Sequence, residues 1–393
     1  MKENENIIKS ERIIKVIIIS PELPLALNHI KGGVQSATIN LLHGFKSKNI
    51  KIKVLVPSRE VKEIKIIEFD TNIEIHYFPE GPFRIHTMNF IFSCTRIINK
   101  YIREIKPDII HYETGNSFLL TKLFGIKGIK YLQTIHGMAF DEAKSKTSKK
   151  DKLIWYFNGL IQIMLMPKKI IHLSNFSKNK YSKYKIEKNK IIPNAIKSNF
   201  FDLKIKNQTD NILLYIGVIN NNKNLIHILK SIKELKENNI IYSINIVGDF
   251  IDLNYKNKIL EYVNENNLLQ LVKFHGWLEE KELLTVIEKS DILIVASNHE
   301  SLPMSIAECM AAGKTIVASR VGGIPELIDN YKTGYLFDNK SKEELNNILK
   351  KLHNNDNEIK SMIKNTKENA YQKYHCDIVA IKTMNFYSEC INK

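Results

Sequence analysis

The chain has 393 residues, of which 44% are hydrophobic and 25% are charged; this composition is typical of a globular protein, and the length suits two domains rather than one. The formal net charge of +16 invites binding to nucleic acid or to an anionic membrane. Because the lysines are spread along the whole chain and no recognition motif is present, nucleic acid is disfavoured as a partner.

The four cysteines form no Cys-x-x-Cys pair, so we expect neither a zinc site nor a disulfide framework. A reducing cytoplasm is the expected location. The amino terminus carries charges before a short apolar run, and Pro21 follows that run without a small-residue cleavage site. We therefore do not expect a signal peptide.

The first strand is predicted at residues 13–20, followed by a loop and a helix at 34–48. Gly32 and Gly33 lie where this loop turns into the helix. Without a Cβ, their backbone could approach a ligand closely. A plain flexible turn would give the same pattern.

Further short strands are predicted at 51–56, 73–78, 108–112, 131–134 and 169–173. Helical patterns fall between several of them, and such alternation is typical of a parallel sheet covered on both faces. His136 follows the strand at 131–134, which places its imidazole at a carboxyl end, where open α/β sheets bind ligands. A lone histidine can equally be structural.

Residues 141–169 combine lysines with an apolar run at 153–166. The lysines that flank this run are Lys144, Lys146, Lys149, Lys150, Lys152, Lys168 and Lys169. The run is too short to span a bilayer, and a core helix is its first interpretation. A helix lying on an anionic membrane surface is the alternative, because Trp155, Tyr156 and Phe157 stand beside the lysines.

A polar segment at 204–210 is the expected interdomain linker, and a second alternating series follows it. Its strands are predicted at 212–216, 242–247, 272–275, 292–295 and 315–318, and its helices at 225–238, 255–266 and 281–290. Two such series predict an α/β protein with two Rossmann-like, doubly wound domains.

Two glutamates stand out near the end of this series. Glu300 lies on the turn after the strand at 292–295, and Glu308 lies about one turn inside a helix predicted at 303–312. The free amides of Met304 and Ser305 at the start of that helix suit a phosphate. For Glu308 a helix cap is the alternative, because Ser305 to Glu308 fits the capping box.

The stretch from Glu300 to Glu308, with VGGIPELI at 321–328 and TGYLF at 333–337, closely resembles the donor-site signature of retaining glycosyltransferases of family 4 (glycosyl transferases group 1). That family carries two glutamates with seven residues between them on the GT-B fold, in which two Rossmann-like domains face a central cleft. The resemblance implies an acceptor domain at 1–200, a donor domain at 201–370, and a segment at 371–393 whose helix returns to the first domain.

The resemblance also assigns roles by motif. Glu308 would hold the ribose hydroxyls of the donor, Glu300 its sugar hydroxyls, and the backbone of the segment after Glu300 its diphosphate and sugar. The members of that segment are Ser301, Leu302, Pro303, Met304 and Ser305. Gly32 and Gly33 would face the diphosphate from the opposite domain, and His136 would lie against the donor sugar.

One position departs from the family pattern. After the strand at 212–216 the family has Gly-Arg and then a lysine, whereas this chain has Gly217, Val218 and Lys223. In the family that arginine holds the diphosphate, and such a charge-assisted contact is worth ~1.5–3 kcal/mol. This chain lacks it. Arg320 would have to supply it, or Lys223 and the helix amides would have to suffice.

Gly248, Gly276 and Trp277 end two further strands, and the turn at Gly276 and Trp277 would line the nucleotide base. The residue types do not fix the base, and a UDP-sugar is favoured over a GDP-sugar. No Asp-x-Asp motif is present, so neither a metal nor a cofactor is expected. His136, Glu300 and Lys223 are the candidate catalytic residues.

The resemblance thus implies transfer of a sugar from a nucleotide-sugar to a hydroxyl of a glycan or lipid-linked acceptor, in surface polysaccharide synthesis. The protein would be cytoplasmic or peripheral on the inner face of the membrane. Acceptor contacts are expected from loops at 23–31 and 83–89. A nucleotide-sugar 2-epimerase and a non-catalytic sugar-nucleotide-binding protein remain the alternatives.

Overall fold

The structure is a computed structural model that describes residues 12–30, 32–81, 94–113, 126, 128–137, 140, 148–184, 186–205, 210–341, 343–353 and 355–392. The predicted acceptor loop at 83–89 lies outside the described residues, as do Lys144 and Lys146 and most of the predicted linker. Contacts divide the described chain into two units. Unit 1 lies within 1–25, 34–195 and 376–393, and unit 2 within 26–33 and 196–375.

Unit 1 is built on an eight-stranded sheet with the order β3-β4-β2-β1-β5-β6-β7-β8. Its strands are β1 (Ile14–Ile19), β2 (Ile50–Ser58), β3 (Lys65–Asp70), β4 (Ile73–Pro79), β5 (Ile109–Tyr112), β6 (Lys130–Ile135), β7 (Lys169–His172) and β8 (Lys188–Ile191). All neighbours are parallel except β3 and β4. The strand order reverses between β1 and β5, and ligands bind at such switch points, beyond the carboxyl ends of the strands.

Five helices of unit 1 are described. They are α1 (Gly33–Phe45), which begins at the last residue of a unit 2 segment, α2 (Thr95–Ile105), α3 (Lys149–Leu165), α4 (Asn175–Tyr181) and α13 (Cys376–Ile391). The interpretation of residues 153–166 as a core helix is wrong, because α3 buries only Gly159, Gln162 and Leu165. Among the described residues, no helix combines the length and hydrophobicity needed to span a bilayer.

Unit 2 contains a six-stranded parallel sheet with the order β11-β10-β9-β12-β13-β14. Its strands are β9 (Ile212–Ile216), β10 (Ser243–Val247), β11 (Val272–Gly276), β12 (Ile292–Val295), β13 (Thr315–Ser319) and β14 (Tyr335–Phe337). Its helices are α5 (Ser198–Phe201), α6 (Leu225–Glu237), α7 (Leu253–Glu265), α8 (Glu280–Lys289), α9 (Met304–Ala311), α10 (Ile324–Leu327), α11 (Glu344–Leu352) and α12 (Asp356–Tyr374). In sequence order this is the 3-2-1-4-5-6 arrangement of dinucleotide-binding folds, with its switch point between β9 and β12.

Both faces of the unit 2 sheet are covered. Leu213 and Ile292 pack in one hydrophobic cluster with α6 and α7, whereas their neighbours Leu214 and Leu293 pack in another with α9. Successive side chains of a strand point to opposite faces, so this alternation places core on each side. The predicted α/β class with two doubly wound sheets is confirmed.

Candidate active site

The switch point of unit 2 brings Lys223 and Glu300 together. Glu300 follows β12, and its Oε1 forms an ion pair with Lys223 Nζ from the loop after β9. The same oxygen accepts a hydrogen bond of 2.8 Å from Ser297 Oγ. The side chain of Lys223 is 25% exposed and that of Glu300 is 11% exposed. The pair is thus largely shielded from water, and its charge attraction is stronger than on an open surface.

An asparagine-rich loop after β9 holds Lys223 in place. Asn220 Oδ1 accepts a hydrogen bond of 3.0 Å from the Lys223 backbone amide. Asn222 Nδ2 donates one of 3.0 Å to the His299 carbonyl. The Asn298 amide donates to the Asn222 carbonyl at 2.7 Å. The two bonds of Asn222 join the loops after β9 and β12 beside the ion pair, and sequence reasoning missed them because they join residues far apart in the chain.

Val218 leaves the family's arginine position without a cation. Its side chain is 40% exposed, and its carbonyl accepts a hydrogen bond from the Tyr215 hydroxyl at 3.1 Å. The suggested substitute, Arg320, donates from Nη2 to the Leu336 carbonyl at 3.3 Å, so it is engaged by β14. Lys223 is therefore the cation that the described structure places beside Glu300.

The helix that carries Glu308 begins one residue later than predicted. Pro303 is the N-cap of α9, with φ −70° and ψ 125°, and Met304 is the first helical residue. The capping-box interpretation of Glu308 is wrong because Ser305 lies inside the helix and is not its N-cap. Glu308 is 8% exposed. The first amides of α9 have no intrahelical partners and favour an anion.

Two glycines fix the backbone of the Glu300 turn. An ideal Cβ on Gly322 would lie 1.7 Å from the Glu300 carbonyl oxygen, and one on Gly323 would lie 1.9 Å from that of Ser301. The Gly323 amide donates to the Glu300 carbonyl at 3.2 Å. The Val-Gly-Gly part of the motif therefore shapes the turn from Glu300 to Leu302, because no side chain would fit there.

The carboxyl ends of β9, β10 and β11 meet at three predicted glycines. The Gly217 amide donates a hydrogen bond of 3.0 Å to the Val247 carbonyl, and the Gly248 amide donates one of 2.8 Å to the Gly276 carbonyl. An ideal Cβ on Gly248 would lie 2.1 Å from the Gly217 carbonyl oxygen. Lys223 Cε lies 3.8 Å from an ideal Cβ position on Gly217, so this edge adjoins the ion pair.

Residues 26–33 also pack within unit 2, beside Trp277 and α9. The Trp277 indole donates to the Ile30 carbonyl at 2.9 Å, and its ring lies 4.1 Å from that of His29. Met304 Cγ lies 3.8 Å from an ideal Cβ position on Gly33, whereas Gly32 has open space at that position. Gly33 is thus close to the start of α9; the roles of Gly32 and Gly33 beside the donor diphosphate stay predictions.

In unit 1, His136 lies in a network that is mostly buried. Its Nε2 donates to Glu113 Oε2 at 2.6 Å, and Glu113 Oε1 lies 3.3 Å from His111 Nε2. Thr134 Oγ1 lies 2.7 Å from the same His111 nitrogen, and the Tyr387 hydroxyl lies 2.6 Å from His111 Nδ1. A cavity of about 20 Å³, the size of one water, adjoins His111, Glu113 and Thr134.

Burial and charge act in opposite directions in this network. Burial alone would raise the pKa of Glu113, but His111 and His136 outweigh it and the pKa is lowered. Burial lowers the pKa of His111 and raises that of Tyr387 well above its ordinary value. Glu113 is thus an anion in the buried switch point of unit 1. Sequence reasoning missed it, although it follows β5 just as His136 follows β6.

Comparisons with known proteins match both halves of the chain. The family model "Glycosyltransferase Family 4" matches residues 31–200, and the model "Glycosyl transferases group 1" matches residues 195–369. An uncharacterised 41.2 kDa protein in the cps region of Klebsiella pneumoniae is 25% identical over 78% of this chain and 83% of its own. A UDP-Gal:alpha-D-GlcNAc-diphosphoundecaprenol alpha-1,3-galactosyltransferase of Escherichia coli is 25% identical over 63% of this chain and 65% of its own.

Solved structures share the fold over nearly the whole chain. Sucrose-phosphate synthase from Thermosynechococcus elongatus has a TM-score of 0.79 at 16% identity, covering 96% of this chain and 99% of its own. Anabaena Alr3699/HepE in complex with UDP has a TM-score of 0.74 at 15% identity, and the match covers 96% of this chain and 100% of the Anabaena chain. The resemblance on which the GT-B expectation depends is confirmed.

Proposed function

We propose that this chain, which belongs to the group 1 glycosyltransferases of the GT-B fold, transfers a sugar from a nucleotide-sugar to a hydroxyl group with retention of configuration and without a metal ion. The observation that carries the proposal is the Lys223–Glu300 ion pair at the switch point of unit 2. It places a cation and a carboxylate beside Gly217, within reach of a diphosphate and a sugar at the same strand ends.

Lys223 can serve the carboxylate and the phosphate at once. Its ammonium group has three N–H donors, so one can stay on Glu300 while another reaches a phosphate oxygen. Glu300 in turn has lone pairs left for sugar hydroxyls beside the bonds from Lys223 and Ser297. A donor would therefore bind without breaking the ion pair, and the geometry of both groups would be fixed beforehand.

The bond that breaks joins the anomeric carbon to the phosphate oxygen, and the electron pair leaves with the nucleoside diphosphate. Lys223 and the first amides of α9 stabilise the developing negative charge. The acceptor oxygen bonds to the anomeric carbon on the face that the phosphate leaves, and its proton passes to the departing phosphate oxygen. His136 holds the sugar, and Glu308 holds the ribose.

Two relatives support an acceptor in surface polysaccharide synthesis. The Klebsiella relative is named for a cps region, and the Escherichia coli relative is named for a diphosphoundecaprenol-linked acceptor and a UDP-sugar. A structural neighbour was solved with UDP. We therefore favour a UDP-sugar as the donor and a lipid-linked glycan as the acceptor.

The test is binding and slow hydrolysis of UDP-, GDP- and ADP-sugars, with EDTA present, by the wild type and by Glu308→Gln. We expect one donor to be turned over with EDTA present, the mutant to lose affinity for it, and NMR of the product to show retention. Failure of every nucleotide-sugar to bind would contradict the proposal, whereas binding without any turnover would favour the non-catalytic alternative, to which Val218 points. Formation of a 2-epimer without an acceptor would identify an epimerase.

A further inference from the structure

Helix α3 exposes most of its apolar side chains, and two of its three buried residues are small or polar. Leu153, Tyr156, Phe157, Leu160 and Met164 are between 46% and 73% exposed. The buried positions of the helix are Gly159, Gln162 and Leu165. Helices of soluble proteins usually turn their apolar stripe toward the core, so this arrangement is close to the reverse.

The exposed side chains form one continuous face. Their spacing of three or four residues repeats along the helix, which places them on the same side. The opposite side is fixed to unit 1, because Gln162 Nε2 donates to the Gly137 carbonyl at 3.3 Å. Phe140 fills the space beside Gly159. The side of α3 opposite the apolar face thus contacts Gly137, the residue after His136.

The charge around this face indicates which kind of partner fits it. Lys149, Lys150 and Lys152 are exposed in the first turns, and Lys168 is exposed just beyond the last. Asp151 is the only acidic residue from 149 to 169. A second copy of the chain would have to bring such lysine groups near one another, whereas an anionic bilayer supplies apolar acyl chains and negative headgroups together.

We propose that α3 lies in the interface of an anionic membrane, with Leu153, Tyr156, Phe157, Leu160 and Met164 among the acyl chains. The lysines at its ends contact the headgroups. Because Gln162 ties the helix to the segment that carries His136, this contact brings a lipid-linked acceptor to that side of unit 1. The acceptor part rests on the proposed function, but the membrane contact does not.

The experiment is co-sedimentation of the full chain with vesicles of phosphatidylcholine alone or with phosphatidylglycerol. We expect binding only with phosphatidylglycerol, and weaker binding at high salt. The variant Phe157→Gln/Leu160→Gln/Met164→Gln should bind at least about tenfold more weakly, since three apolar anchors are lost. The matched control, Ile251→Gln/Leu253→Gln, changes two exposed apolar residues of unit 2 and should bind like the wild type.

Two outcomes would overturn the proposal. One is equal binding of the wild type and the triple variant; the other is a dimer, seen by sedimentation velocity, that the triple variant abolishes. Donor hydrolysis by the triple variant should stay unchanged. Vesicle binding needs no donor, so failure here is distinguishable from failure of the proposed function.

A second inference follows independently from Glu113. This carboxylate is 2% exposed, and its Oε2 accepts from His136 Nε2 at 2.6 Å. His136 keeps 12% of its side chain exposed. We infer that Glu113 is the positioning residue of His136: it holds the proton on Nε2 and leaves Nδ1 as the ring nitrogen for a ligand. The catalytic consequence rests on the proposed function.

The test compares Glu113→Gln with the wild type in two readouts. Ring-nitrogen NMR of His136, which needs no substrate, should show the proton on Nε2 in the wild type, bonded to Glu113, and a changed distribution of the proton between Nε2 and Nδ1 in the variant. In kinetics, kcat should fall about tenfold or more with little change in KM for the donor. In a His136→Ala background the same substitution should have almost no effect.

The matched control is Tyr387→Phe, which disturbs the far end of the same buried chain, at His111, without touching His136. It should leave the His136 spectrum and kcat unchanged. An unaltered His136 spectrum in Glu113→Gln would overturn the inference. So would a kinetic loss of equal size with and without His136.

Discussion

Lys223 Nζ and Glu300 Oε1 form an ion pair that joins the loop after β9 to the loop after β12. Since β9 and β12 are adjacent and the strand order reverses between them, the pair lies where a doubly wound sheet binds its ligand. Neither residue is a neighbour of the other in sequence. The topology brings them together, and the asparagines of the first loop hold them there.

Replacing Lys223 by Met should lower kcat/KM for the donor by about ten- to a hundredfold, because a charge-assisted contact to phosphate is worth ~1.5–3 kcal/mol. Loss of the cation also leaves Glu300 without its counter-charge. Lys233→Met is the control: it removes an exposed i,i+4 pair with Glu237 and should leave kcat/KM unchanged. Equal activity of Lys223→Met and the wild type would show that the ion pair is only structural.

Gly322→Ala should weaken donor binding and destabilise unit 2. The new Cβ would collide with the Glu300 carbonyl oxygen, and Gly322 has φ +57°, so the Glu300 turn must move. We expect a loss of about 2–4 kcal/mol in the free energy of unfolding. Gly137→Ala, whose Cβ meets no atom within 4 Å, should change it by less than about 0.5 kcal/mol. For both variants, calorimetric titration measures the affinity for the donor, and urea unfolding measures the free energy of unfolding.

Trp277→Phe should loosen residues 26–33. The indole hydrogen bond to Ile30 is lost while most of the ring remains, so the cost should be about 1 kcal/mol. Hydrogen exchange at the described amides of this segment should become faster, whereas exchange in α6 should stay the same. Unchanged exchange at residues 28–30 would mean that the His29 ring contact and the Asn28–Glu279 bond suffice.

The central strands were predictable because buried parallel strands are continuous apolar runs. β9 and β12 have the predicted bounds, and β1 differs by one residue at each end. The missed strands are β3 and β8, the two edges of the unit 1 sheet, and β14, a buried edge strand of only three residues in unit 2. The edge strands of unit 1 are partly exposed and need no apolar run, as Lys65–Asp70 and the sequence KNKI of β8 show.

The candidate site divides in the same way. Glu300, Lys223 and the glycines follow predicted strands, so a motif could identify them. Asn222 acts through a bond to the His299 carbonyl in a separate loop, and such a bond depends on strand order, which the local pattern does not contain. Ser297 and Asn220 act within their own loops, through bonds to Glu300 and to the Lys223 amide. The roles of Glu308 and His136 toward a donor stay predictions.

His172 should make the protein lose stability in mild acid. It is fully buried in β7, and burial, with Lys178 nearby, lowers its pKa from 6.5 to about 4. Between these values the unfolded chain binds a proton that the folded chain does not, so the free energy of unfolding falls as the pH falls from 6.5 toward 4. The full effect is about 3 kcal/mol at most.

In His172→Asn, whose amide can replace the contact of Nδ1 with Ser177, this part of the pH dependence should vanish. The measurement is the urea midpoint of both proteins from about pH 7 to about pH 4.5. Carboxylates and His111 titrate in both proteins, so the difference between the two curves isolates His172. Parallel curves would mean that His172 is protonated in the folded state and that its burial is compensated by a group other than Ser177.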